Sequence, residues 1–328
     1  MPDSIDIRSR FRRWLPLAPL FVLSAIAATY PATATATSIY MDEFSVTRNG
    51  SPIFDDSFNQ NTTLNGGTGS SVPSGVNFTG GGPANYFVGG TIPEATANNG
   101  QALLSTANGV LVTQPDPFFP LISNVHATLQ TGTATTATHA LTPQTAFTVT
   151  GLFDLALPNV VGGSDDLFLS NRYAVNNDIG NFLQIRLRDC AASVGGCNGL
   201  NGPVLQFVWG SSITDQLTVI DEIALSAAEL ADPQFEFEFT KAANTDVVNA
   251  FYAFGSGNTL ATFNGSPTLL GSTNSTTDVF TSSLQTVEPG FEAFEPVVAP
   301  EPSSLVLMVS GLLALGGLAG RRRPHAAG

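Results

Sequence analysis

Lysine is almost absent from this 328-residue sequence; the one lysine is Lys241. Residues 37–299 carry five basic side chains, Arg48, Arg172, Arg186, Arg188 and Lys241, against 23 acidic ones, a net charge of −18. Phosphate binding needs Lys and Arg, so nucleic acid is excluded as a partner. Charge of one sign keeps a protein in solution and suits divalent cations. Cysteine is nearly as scarce. Only Cys190 and Cys197 occur, separated by Ala-Ala-Ser-Val-Gly-Gly. Two cysteines with no histidine near them make no zinc site. In an oxidising compartment so close a pair reads as a disulfide. Several catalytic signatures are also missing. There is no Gly-x-x-x-x-Gly-Lys phosphate loop and no Gly-x-Ser-x-Gly nucleophile elbow. No repeat of fixed period is present, which argues against solenoids and propellers.

Strong amphipathic helices are missing too, and short β-type runs between Gly, Asn and Pro take their place. That pattern predicts an all-β sandwich or barrel. Ser38 to Arg48 reads as a strand closed by Asn49-Gly50, followed by a short strand from Pro52 to Phe58. Asn59 to Gly82 is polar and Gly-rich and reads as a long surface loop. Leu103 to Thr113 reads as a hairpin, because Asn108-Gly109 supplies the positive φ angles of a tight turn. Ala146 to Asp154 puts Phe147, Val149 and Phe153 on one face and Thr148 and Thr150 on the other. Leu183, Ile185 and Leu187 alternate with Gln184, Arg186 and Arg188, and Val204 to Trp209 is a shorter apolar strand. These two flank the cysteines, so the spacing predicts a hairpin stapled near its tip. Asp221 to Ala231 reads as a short helix or helical turn. Phe235, Phe237 and Phe239 alternate with Glu236 and Glu238, giving an aromatic core face and an acidic, solvated outer face. Val247 to Phe254 then pairs with that strand across Lys241 to Asp246.

Few side chains point to chemistry. Glu236 and Glu238 share a face, but no third acid follows at Thr240 or Lys241, so the Glu-x-Asp-x-x-Glu pattern of a glucanase is absent. His126 and His139 are the two histidines of the body, and His126 falls on a strand, at the core or at an edge. Calcium is the candidate cofactor, since it takes six to eight oxygens from clustered carboxylates and carbonyls. Asp165, Asp166, Asn176 and Asp178 are the candidate ligands, with Asn177 and the pair Asp55-Asp56 of similar type. All read as loop clusters, and none has the spacing of an EF-hand. Asn and Asp also form turns for their own reasons. No catalytic residue emerges, and the chain reads as a non-enzyme.

The two ends carry the most specific signals. Arg8, Arg10, Arg12 and Arg13 form a basic region before the apolar stretch Trp14 to Ala28. Ala34-Thr35-Ala36 is a small-x-small cleavage site, with Ala32-Thr33-Ala34 as a second candidate, so residues 1–36 read as a signal peptide. Arg12-Arg13 also resembles a twin-arginine signal. At the other end Pro300-Glu301-Pro302 precedes an uncharged run from Ser303 to Gly320, then Arg321-Arg322-Arg323. Eighteen residues span ~27 Å as a helix, enough for a bilayer core. The arginines belong on the cytoplasmic side, which puts the body across the inner membrane. Pro-Glu-Pro, a short apolar helix and a basic cluster in this order resemble the PEP-CTERM sorting signal of Gram-negative bacteria. The resemblance implies recognition by an exosortase, a membrane protease-transpeptidase. It also implies a link to exopolysaccharide or biofilm matrix.

A weaker resemblance concerns the body. Phe235 to Thr259 (FEFEFTKAANTDVVNAFYAFGSGNT) is similar to a back-sheet hairpin of concanavalin A-like jelly rolls. Asp165 to Asp189 (DDLFLSNRYAVNNDIGNFLQIRLRD) fits a strand–turn–strand region of that fold. The expected organisation is a signal peptide at 1–36 and a β-sandwich at 37–290. A linker with the Pro-Glu-Pro motif follows at 291–302, then a single transmembrane helix and basic tail at 303–328. The expected protein is exported and held in the inner membrane as a precursor, then released to the cell surface or extracellular matrix. There it is a structural or carbohydrate-binding component. The rival readings are a polysaccharide hydrolase and a protein-binding adhesin.

Overall fold

Asn49-Gly50 folds the first two strands against each other. In the computed structural model Asn49 has φ 52° and Gly50 φ 78°, the two positive angles that a type I′ hairpin turn requires. They join β1 (Ser38–Arg48) to β2 (Ser51–Asp56). The described residues are 38–59, 62–63, 70–90, 94–98, 101–105, 122–132, 137–157, 162–172, 179–191, 197–211, 216–273 and 286–296. All lie within Ala34–Ala299. After β2 come β3 (Thr62–Thr63), β4 (Ser70–Asn77), β5 (Pro83–Gly90), β6 (Glu94–Asn98) and β7 (Gln101–Ser105). β8 (Ile122–Leu129), β9 (Phe147–Asp154), β10 (Ser164–Arg172) and β11 (Ile179–Cys190) follow. The rest are β12 (Gly202–Ser211), β13 (Gln216–Ala224), β14 (Gln234–Lys241), β15 (Val248–Gly255), β16 (Thr268–Ser272) and β17 (Glu288–Pro296).

These strands form two antiparallel sheets packed as a β-sandwich. The first sheet runs β16-β15-β14-β9-β1-β7-β6-β3, with β2 also on β1. β1 holds β7 along Ser38–Met41 and β2 along Phe44–Arg48. The second sheet runs β13-β12-β11-β10-β17-β8-β5-β4. Here β17 enters between β10 and β8, so the end of the described chain fills the middle of the sheet. The core between the sheets is rich in phenylalanine. Phe44 of the first sheet meets Phe291 of the second at 5.5 Å, and Phe239 meets Phe207 at 6.1 Å, both across the core. Phe54, Phe58, Phe78 and Tyr86 complete a cluster around the first pair. Burying each such ring is worth about 1.5–3 kcal/mol.

The alternation predicted on β9, β11 and β14 is present, and so is the β14–β15 hairpin, with Lys241 opposite Val248. β11 and β12 form the expected hairpin, Cys190 opposite Gly202, and a disulfide joins Cys190 to Cys197 with Cα atoms 5.7 Å apart. Four expectations need correction or lie elsewhere. The stretch Asn59 to Gly82 is not one loop, because β4 occupies Ser70–Asn77. There Val72 and Ser74 point inward while Ser71 and Pro73 point out. Serine hid the alternation; Ser74 is buried because its hydroxyl donates to the Ala84 and Val76 carbonyls. The short helix or helical turn foreseen over Asp221 to Ala231 is a 3-10 turn confined to Glu229–Ala231. Its first residues extend β13, where Glu222 and Ile223 pair with Gln206 and Leu205. Ser226 and Glu229 form a capping box ahead of the turn. The sandwich also runs to Pro296 rather than ending at residue 290, since Phe291 and Ala293 are core residues of β17. Its Pro and Glu content had the look of a linker. Of the hairpin at Leu103 to Thr113, only the first arm lies within the described residues.

Candidate functional site

The sorting residues Pro300, Glu301, Pro302, Arg321, Arg322 and Arg323 lie outside the described residues. So does the apolar run 303–320. Among the described residues no helix is long and apolar enough to cross a membrane. Of the calcium candidates, Asn176 and Asp178 also lie outside. Asp165 and Asp166 stand on β10 rather than in a loop. Neighbours on a strand point to opposite faces, so these two carboxylates do not converge on one ion. Asp55 and Asp56 sit on β2 in the same way: Asp55 is exposed, while Asp56 accepts hydrogen bonds from the Phe58 amide and the Tyr86 hydroxyl. Among the described residues no group of three His, Cys, Asp or Glu side chains is placed to hold a metal.

What β10 does build is a charged row. Asp166 pairs in register with Arg186 of β11 on one side and with Glu292 of β17 on the other. Arg186 faces Gln206 of β12, and Gln206 faces Glu222 of β13. Glu292 faces His126 of β8. The row Glu222–Gln206–Arg186–Asp166–Glu292–His126 therefore crosses six strands, with opposed Cβ atoms about 5 Å apart. It lies on the outer face of the second sheet. The sequence neighbours Leu167, Ile185, Leu187, Leu205, Phe207, Phe291 and Ala293 all belong to the core between the sheets, and alternate residues point opposite ways.

Hydrogen bonds run along the row. Arg186 Nε donates to Gln206 Oε1 at 2.8 Å, and Gln206 Nε2 donates to the Glu222 carboxylate. Gln184 Nε2 donates to Glu292 Oε2 at 3.3 Å, and Ser164 Oγ donates to Asp166 Oδ2 at 3.1 Å. Two buried atoms at the centre of the row are left over. Asp166 Oδ1 and Arg186 Nη2 have no hydrogen-bond partner, although Asp166 is 1% exposed and Arg186 7%. Leaving such a group unsatisfied costs about 1–3 kcal/mol. Burial raises the Asp166 carboxyl well above its usual range, and the Glu292 charge adds to this. Burial lowers the Arg186 guanidinium, and the neighbouring Arg188 lowers it further. The middle of the row is closed in, whereas Gln184, Glu222 and His126 are half-buried.

Aromatic rings cover two glycines on one side of the row. The Phe168 ring lies where a Cβ on Gly290 would fall, 2.5 Å from the ring, and Phe182 covers Gly210 in the same way at 2.2 Å. His126 meets Phe168 edge-on at 6.3 Å, so this histidine belongs to neither the core nor a sheet edge. His139 is a packing residue, stacked on Phe78 at 4.3 Å. No family model matches this chain. No curated protein matches it either. The function therefore has to be argued from the row itself, where a buried donor and a buried acceptor both lack a hydrogen-bond partner.

The acids singled out on β14 behave differently from a solvated face. Glu236 is 9% exposed, flanked by Leu152 of β9 and Ala253 of β15. Burial, and then the Glu238 charge, push its carboxyl up to about 7. Glu238 is raised by burial, against a hydrogen bond from Thr150. Nearby, the Leu260 amide donates to Glu43 Oε2 at 2.8 Å, so the turn after β15 folds over this acidic end of the first sheet. Sequence reading missed the charged row. Its trace was there: lone polar residues, Gln206 and Glu292, in the middle of apolar runs.

Proposed function

We propose that this chain is an exported β-sandwich that binds a polyhydroxylated ligand, a glycan, on the outer face of its second sheet and does no chemistry on it. The observation that carries the reading is the pair Asp166 Oδ1 and Arg186 Nη2. One is an acceptor and the other a donor, both buried without a hydrogen-bond partner, and hydroxyls of a glycan that enters from the half-buried flank at Gln184, Glu222 and His126 would satisfy them. Phe182, half-buried over Gly210, adds an apolar ring of the kind on which sugar rings stack. The delivery route follows from the two ends. Residues 1–36 export the chain, residues 303–328 hold it in the inner membrane, and an exosortase reads Pro300-Glu301-Pro302. The product joins the cell surface or the exopolysaccharide matrix. A concanavalin A-like jelly roll is the fold we propose within the sandwich class, in keeping with the two antiparallel sheets and the late strand β17 inserted at the centre.

A glycan array probed with the exported protein tests the binding. Wild type should retain a defined group of glycans, and Asp166→Asn and Arg186→Met should each weaken retention at least tenfold when assayed below the melting point of each variant. A wild-type protein silent across the array sinks the reading. The Asp166–Glu292 pair also favours a second reading, a polysaccharide hydrolase with Asp166 as its acid. Release of reducing ends from a bound glycan, abolished by Asp166→Asn, would replace binding with hydrolysis. Delivery is tested separately. Glu301→Ala, or serine at all three of Arg321, Arg322 and Arg323, should leave uncleaved precursor in the inner-membrane fraction. Wild-type extracellular protein that still carries residues 303–328 by mass spectrometry would refute sorting.

A further inference from the structure

The outer face of the first sheet carries a second row, and it is uncharged. Thr47 of β1, Thr148 of β9, Thr240 of β14 and Asn249 of β15 stand in register across four strands. With the Asn49-Gly50 turn at one end they line a shallow cleft of about 320 Å³. Among the described residues none of the three threonine hydroxyls is used in a hydrogen bond. Asn249 Oδ1 accepts from the Ser272 hydroxyl at 2.7 Å, which leaves its amide donors to the cleft. The one cation at the site, Lys241, is already committed. Its ammonium donates to the carbonyls of Pro143, Ala242 and Thr145 at 2.6, 3.1 and 3.3 Å.

We infer that this cleft is a second glycan site, selective for neutral chains, and that the protein bridges two polysaccharide strands. With the Lys241 ammonium left no N–H to donate, the cleft meets a ligand through free hydroxyls and amide donors. Its apolar residue, Phe147, is 3% exposed, so it offers little to an apolar ligand. What it suits is a ligand that both donates and accepts hydrogen bonds without net charge. The row repeats at the inter-strand distance of about 4.8 Å, close to the residue repeat of an extended glycan. The two rows lie on the outer faces of opposite sheets, turned away from the shared core, so two chains can be held without collision. Two linked sites also gain from effective concentration, because the second contact to one network becomes intramolecular. The bridging rests on the glycan reading of the charged row; the cleft stands without it.

Native gel electrophoresis of the full exported protein through hydroxyethyl cellulose, a soluble neutral polysaccharide, separates the cases. Thr148→Val with Thr240→Val removes two hydroxyls and keeps the β-branch that strands favour; Thr47→Val is the single-site backup if the double variant melts early. The cleft predicts at least a threefold weaker retention for these variants, and bridging predicts that wild type thickens the polysaccharide solution while the variants do not. Retention lost in Asp166→Asn but unchanged in the threonine variants overturns the cleft and leaves the charged row standing. Loss in the threonine variants alone supports the cleft and overturns bridging. Wild type that runs unretarded overturns the cleft as a neutral-glycan site, and the glycan array then judges the charged row independently.

Discussion

Replacing Glu236 by Gln should stabilise this protein at pH 8 and leave it unchanged at pH 4. Glu236 lies between Leu152 and Ala253 with the Glu238 charge beside it, and its carboxyl is pushed up to about 7 by burial and by that charge. In the unfolded chain a Glu titrates near 4.3. The folded state therefore holds the proton more tightly than the unfolded state. Below about pH 4 both states carry it and nothing is lost. As pH rises the unfolded chain ionises first, so stability falls through this window and stops falling above about 7. A shift of this size corresponds to ~4 kcal/mol if fully expressed. Screening by water at the sheet surface cuts that to ~1–2 kcal/mol. For a sandwich of this length that is a rise of roughly 3–6 °C in melting temperature at pH 8. Calorimetry of wild type and Glu236→Gln at pH 4, 6 and 8 measures it. An equal difference at all three values, or a larger one at pH 4, refutes the assignment of an ionisation cost to this site.

Three other outcomes follow from the packing. Tyr86→Phe removes the hydroxyl that donates to Asp56, whose carboxyl burial already pushes up to about 6; the loss should be about 1–3 kcal/mol above that pH and smaller at pH 4.5, where the carboxyl is neutral. Gly290→Ala forces a methyl to 2.4 Å from the Ala127 carbonyl oxygen and into the Phe168 ring, so chemical denaturation should show a loss of about 1–3 kcal/mol and near-ultraviolet dichroism a disturbed aromatic environment. Cys190→Ser opens a short loop at the tip of one hairpin; it should cost ~2–3 kcal/mol at most, with far-ultraviolet dichroism unchanged.

The strands were legible in the sequence and the charged row was not, for one physical reason. Alternation is local. Phe235, Phe237 and Phe239 announce a strand and its buried face without reference to anything else in the chain. A serine strand such as β4 escapes because Ser74 is buried through its hydrogen bonds, which composition does not display. The row depends on register, which is not local. Asp166, Arg186, Gln206 and Glu222 belong to consecutive antiparallel strands, and their alignment depends on how those strands pair. Glu292 arrives from far along the chain, when β17 enters beside β10. A slip of one residue in β11 would turn Arg186 into the core and Leu187 out of it. The same hydrophobic pattern that fixes the core therefore fixes the level at which Asp166 meets Arg186, and the leucines of β11 hold the charged row in register from the opposite face.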